Sequence, residues 1–128
     1  MKLKEKPSPQ IATKILAIVE KSLDDDQAND VTVISLMGKT DIAEYMVIAS
    51  GRSARHVDST TDHLISKLKK AGITGIRSEG RHLKDWVLID AGYVIINLFR
   101  PEVRSHYDLE KLWETEIHEK NLTESLKN

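Results

Sequence analysis

Cysteine is absent from this 128-residue chain. That excludes a disulfide framework, thiol catalysis and thiolate metal centres. Aromatic residues are scarce as well, at 5% of the sequence. A basic excess is also missing: 19 Lys and Arg stand against 20 Asp and Glu, for a formal net charge of -1. Domains that grip nucleic acid by its phosphates usually carry a clear positive surplus, so little direct nucleic-acid binding is expected. No apolar run approaches the ~20 residues that a membrane-spanning helix needs, and the longest, such as "YVIINLF", are strand-length. The opening "MKLKEKPSPQ" is positively charged, but no apolar stretch of the kind found in a secretory signal follows it. The chain therefore reads as soluble, intracellular and cytoplasmic.

What is present is an ordinary globular composition, 40% hydrophobic and 30% charged, in a length that suits one domain with its own core. Residues 1–8 are charged and read as a loose N-terminus, with Ser8 and Pro9 suited to open a helix. Ile11, Ile15, Ile18, Val19 and Leu23 then recur at helical spacing. "VTVISL" at 31–36 is β-branched and reads as a strand, and the unbroken apolar run "YMVIAS" at 45–50 as a strand buried on both faces. A helix is expected from about 54 to 71, with Val57, Thr61, Leu64, Ile65 and Leu68 inward and Gly72 at the left-handed position that closes it. The basic spot Lys67, Lys69 and Lys70 reads as a solvated face of that helix. "ITGIRSEG" at 73–80 is a weaker strand, while "DWVLID" and "YVIINLF" should pair as a tight antiparallel hairpin across Ala91 and Gly92. Pro101 restarts a helix, and Asp108 is placed to cap another. The expected fold is an α/β (α+β) single domain spanning 9–118, with a five-stranded mixed sheet flanked by helices. Residues 119–128 read as a loose polar tail.

The search for chemistry finds fragments rather than a complete site. His56 and His63, seven apart on one helix, lack the further ligands that zinc requires. Asp85 and Asp90 bracket one strand five residues apart, so they do not converge on one face. Asp90 more simply opens the hairpin turn. "ASGRSARHV" at 49–57 places a Ser-Gly turn between a buried strand and a helix N-terminus, a geometry that can hold an anion. A nucleotidyltransferase of that shape would also need paired acids on the next strand, where "ITGIRSEG" offers only Glu79. No Gly-x-Ser-x-Gly stretch is present, and no spacing joins Ser and His into a triad. No cofactor or metal is expected. The remaining concentration is "RSHYDLEKLW" at 104–113, which holds a Tyr, a Trp and two Leu among charges. Such a segment either closes the core or presents a surface to a partner.

Taken in order, the elements S-G-x-S-x-R-H-V (Ser50, Gly51, Ser53, Arg55, His56, Val57), E-G (Glu79, Gly80), D-W (Asp85, Trp86), D-x-G (Asp90, Gly92) and R-x-x-Y-x-L-E-x-L-W (Arg104, Tyr107, Leu109, Glu110, Leu112, Trp113) resemble the ribosomal silencing factor family, also called RsfS or Iojap. The resemblance covers about 31–113. It implies a nucleotidyltransferase-like fold without catalytic acids. It also implies binding to the large ribosomal subunit through its L14-type protein, on the face that meets the small subunit. Subunit joining would then be obstructed and translation lowered when nutrients run short. Roles in large-subunit maturation, organelle relatives and homodimers belong to the same implication. Two positions depart from the family pattern: Tyr93 stands where Asp is usual after the hairpin Gly, and Asn97 where His is usual in the last strand. Asn97 can keep a hydrogen bond but cannot titrate.

A docking surface needs a few large anchors ringed by charge. Trp86, Tyr107, Leu109 and Trp113 qualify as anchors, and Asp85, Arg104 and Glu110 as orienting charges. Leu112 is expected to hold the last helix on the sheet. Leu109 and Trp113, four apart, share a face, and spacing alone does not assign that face to sheet or partner.

Overall fold

A computed structural model describes residues 9–107. The expectations for 1–8, for the segment 108–118 and for the tail 119–128 fall outside those residues. Within them the order is α1 (Pro9–Asp25), β1 (Asn29–Ser35), β2 (Tyr45–Ser50), α2 (Ala54–Lys70), β3 (Arg77–Glu79), β4 (Trp86–Asp90), β5 (Val94–Phe99) and α3 (Pro101–Tyr107). The five strands form one mixed sheet in the order β1-β2-β5-β4-β3. Its central pair, β2 and β5, is parallel, and the other pairings are antiparallel.

Side-chain alternation divides the interior in two. Val47, Ala49, Val87, Ile89, Val94, Ile96 and Leu98 face α1 and α2, which add Ile15, Val19, Leu23, Val57, Leu64 and Leu68. Met46, Ile48 and Phe99 lie on the other face, where Val103 of α3 packs with Trp86 and Ile95. Burying each large side chain of these sets contributes roughly 1.5–3 kcal/mol. The α2 stripe matches the expected positions, with Ile65 only partly covered and Thr60 also buried. On α1 one expected core position differs: Ile11 is 44% exposed, and Ala12 is buried instead.

Both long helices end in the same way. In α2 the Ile73 N–H donates to the Leu68 carbonyl and the Gly72 N–H to the Lys69 carbonyl, with Gly72 left-handed as expected. In α1 the Ala28 and Gln27 N–H groups make the matching bonds to Leu23 and Asp24, but the left-handed residue is Gln27. β1 starts two residues earlier than its apolar pattern, because a bulge between Asn29 and Thr32 places Asp30 at positive φ. The stretch at 73–80 contributes only the three-residue edge strand β3.

Candidate docking surface at the strand ends

β2 and β5 run parallel and finish together at Ser50 and Phe99. β4 is antiparallel to β5 and starts there, with Trp86 opposite Phe99. This end of the sheet therefore gathers the Ser-Gly turn, the Asp-Trp pair and α3.

The turn from β2 into α2 is closed by its own hydrogen bonds. The Gly51 N–H donates to the Phe99 carbonyl at 2.8 Å. The Arg52 N–H donates to Nδ1 of His56 at 2.9 Å. The His56 N–H donates to Oγ of the N-cap Ser53 at 3.1 Å. Because Nδ1 of His56 accepts a hydrogen bond, Nε2 carries the ring proton and donates to the Asp26 carbonyl at 2.7 Å. The imidazole thus links the α2 N-terminus to the loop that follows α1. His63 reaches the same residue, with Nδ1 2.7 Å from Oδ2 of Asp26. The two histidines that share a helix face meet on one aspartate. The N–H groups of Gly51, Arg52 and His56 are thereby engaged within the fold. Arg55 stays exposed on the first turn.

Trp86 is half-buried. Its ring stacks on Phe99 with centroids 5.0 Å apart and planes at 28°, and Nε1–H donates to Oδ1 of Asn97 at 2.8 Å. Asn97 is 1% exposed, so this bond is made away from water. Its Nδ2 has no hydrogen-bond partner among the described residues. The strand register makes the pair, since Trp86 and Asn97 lie on one sheet face of neighbouring strands. Sequence reading identified both residues separately but not their contact. Asp85 lies just before β4 and holds Arg100, with Oδ1 2.6 Å from Nη2, while the Asp85 carbonyl accepts the Arg100 N–H. Arg104 reaches back from α3: Nη1 donates to Ser50 Oγ at 2.9 Å and Nη2 to Thr32 Oγ1 at 3.3 Å. One guanidinium thereby joins α3 to the middle of β1 and the end of β2.

The remaining expected motif residues have local tasks. Gly80 sits at φ +86°, and a Cβ there would overlap the carbonyl oxygen of Trp86. Glu79 is exposed on the edge strand. Asp90 accepts the Gly92 N–H at 2.9 Å and pairs with Arg77 at 3.2 Å, as a turn-opening Asp should. Tyr93 lies at the opposite end of the sheet, where it lines an open groove with Ile11, Met37 and Ile42. Sequence reading had not singled out Arg81. It pairs with Asp58 at 2.9 Å and also with Asp62, which ties the β3–β4 loop to α2. The Arg81 hydrogen bond holds the Asp58 carboxyl below its ordinary range, and Lys84 adds to the effect. Tyr107 ends α3, but its side chain, together with Leu109, Glu110, Leu112 and Trp113, lies outside the described residues. Among the described residues no helix is long and apolar enough to cross a membrane.

A family model described as "Ribosomal silencing factor during starvation" matches residues 9–128. A ribosomal silencing factor RsfS from Zymomonas mobilis is 52% identical over 99 residues, covering 77% of this chain and 74% of that protein. A crystal structure of a Chromobacterium violaceum protein superposes with a TM-score of 0.77 at 34% identity, covering 80% of this chain and 85% of that one. A mouse protein named mitochondrial assembly of ribosomal large subunit protein 1 is 31% identical over 116 residues, covering 88% of this chain and 51% of that protein.

Proposed function

The chain belongs to the ribosomal silencing factor family, and from that premise we propose that it binds the large ribosomal subunit through the L14-type protein and blocks joining of the small subunit. Translation is thereby repressed in the cytoplasm under nutrient limitation. The observation that carries the reading is the rigid strand-end surface. Trp86 is fixed by Phe99 and Asn97, Asp85 is held by Arg100, and α3 is tied down by Arg104. A surface ordered before contact loses little conformational entropy on binding.

In this reading Trp86, Tyr107, Leu109 and Trp113 supply apolar contact, and Asp85, Arg104 and Glu110 set orientation at the rim. Leu112 secures the closing helix. No bond is made or broken. A folded body on the subunit interface excludes the opposing subunit by volume, and its affinity needs only to compete with joining. The Ser-Gly turn supports binding over group transfer, because its Gly51 and Arg52 N–H groups already serve the fold. The printed name of the mouse relative supports a further role in large-subunit assembly. A homodimer in the free state fits the same reading.

The test is co-sedimentation of the purified chain with large subunits, followed by light-scattering of subunit reassociation. The chain should travel with large subunits and lower the yield of complete ribosomes, and Tyr107→Ala should weaken both effects. A chain that stays at the top of the gradient at low salt refutes the reading.

A further inference from the structure

The loop at 80–85 carries an exposed leucine on a support that is held from several sides. Leu83 is 69% exposed, a large apolar side chain presented to solvent. Its neighbours are tied down. Arg81 pairs with Asp58 and Asp62 of α2, and Nζ of Lys84 lies 3.9 Å from Asp58. The Lys84 N–H donates to the Gly80 carbonyl at 3.0 Å. Lys84 itself sits at φ +62°, a strained conformation for a residue with a side chain. Gly80 packs against the Trp86 backbone too closely to admit a Cβ. Next in sequence comes Asp85, paired with Arg100.

We propose that Leu83 is a further contact residue of the docking surface, an apolar anchor that enters a recess on the protein component of the large subunit. The inference rests on the docking reading given above. It adds a residue that lies outside the motifs carrying the family resemblance. Leu83 is continuous with the strand-end surface through Asp85 and Trp86. The loop's cations Arg81 and Lys84 are directed at Asp58 of the same chain, so apolar contact with protein fits this loop better than phosphate binding. A pinned loop also presents its side chain without an ordering cost on association.

The experiment compares the full-length wild type, Leu83→Ser and Leu83→Met by co-sedimentation with large subunits across a salt series, with a thermal melt of each. Leu83→Ser should bind about fivefold or more weakly, as for a contact residue that matters, with an unchanged melting midpoint and an unchanged slope of log affinity against log salt. Leu83→Met should bind as wild type does. Equal binding by Leu83→Ser and wild type overturns the inference while leaving the docking reading intact. A fall in the salt slope for Leu83→Ser, or an equal loss on naked ribosomal RNA, places the loop on RNA and overturns the protein assignment. A wild type that does not sediment with subunits overturns the docking reading and this inference together.

Discussion

Two glycines share one backbone conformation but have different surroundings, which isolates the contribution of a single close approach. Gly72 closes α2 at φ +89° with nothing within 4 Å of an added Cβ. Gly80 has φ +86°, and its added Cβ would overlap the Trp86 carbonyl. Replacing either by Ala forces a left-handed alanine, which costs about 1–2 kcal/mol. Gly72→Ala should lose that and no more. In Gly80→Ala the new methyl meets backbone rather than a side chain that can rotate away. The β3–β4 loop or β4 must then move, at a further ~1–3 kcal/mol. The expected total is about 2–5 kcal/mol. For a domain of this length 1 kcal/mol moves the melting midpoint by roughly 4 °C, so Gly72→Ala should fall by ~4–8 °C and Gly80→Ala by ~8–20 °C. Urea melts with a common m-value would establish that both variants start from the native fold. Subunit co-sedimentation provides a second readout. Gly80→Ala should lose binding beyond its loss of stability, because Leu83, Asp85 and Trp86 move with the loop, and Gly72→Ala should bind normally. Equal midpoints for the two variants would refute the claim that the approach of Gly80 to Trp86 fixes this loop.

Trp86→Phe keeps the ring over Phe99 but leaves the buried Asn97 Oδ1 without its donor, which should cost about 1–3 kcal/mol in urea melts; adding Asn97→Leu should restore part of that loss, and an additive double variant would deny the coupling. Arg104→Met removes the hydrogen bonds to Ser50 and Thr32, so amide hydrogen exchange should rise in α3, around Thr32 in β1 and at the end of β2 while α2 stays protected. The folded-state pKa of Asp58 is lowered chiefly by Arg81, so its contribution is present above the ordinary carboxylate pKa near 3.8 and disappears as pH falls through the lower folded value. Arg81→Met should therefore show a shallower loss of stability than wild type as pH falls below the ordinary carboxylate value, and parallel acid titrations of the two would count against the pair.

Where one physical cue settled an element, that element could be read from sequence. β2 and β5 are apolar at consecutive positions because both faces are covered, and no other arrangement suits "YMVIAS" and "VIINLF" so well. Gly72 announced the end of α2. Gln27 closes α1 with the same pair of hydrogen bonds but gives no such signal, since its conformation is imposed by Ala28 packing against the core. Asp30 hid the start of β1, because a bulge residue looks like loop. Ile11 fits the helical stripe, yet it lines the open groove beside Met37, Ile42 and Tyr93 and stays outside the core. The site divides along the same line. Asp90 and Ser53 act within a few residues of themselves, so their spacing carried their roles, whereas the close approach of Gly80 to Trp86 had no such signal. The Trp86–Asn97 bond, the Arg104–Ser50 bond and the meeting of His56 and His63 at Asp26 each join distant segments. They follow from register and packing, which spacing in one chain does not encode.

The parallel pairing of β2 with β5 also bears on when the protein becomes active. Tyr45 pairs with Val94 and Ser50 with Phe99, so the middle of the sheet waits for a strand made late in synthesis. Such long-range pairing closes slowly, after the intervening chain has been made. Until β5 has left the exit tunnel of its own ribosome, Trp86 has no Phe99 or Asn97 to rest on, and Ser50 has no Arg104. The surface assembles only after β5 and α3 have followed β2, and a chain that stops before them carries the Ser50 turn without its partners.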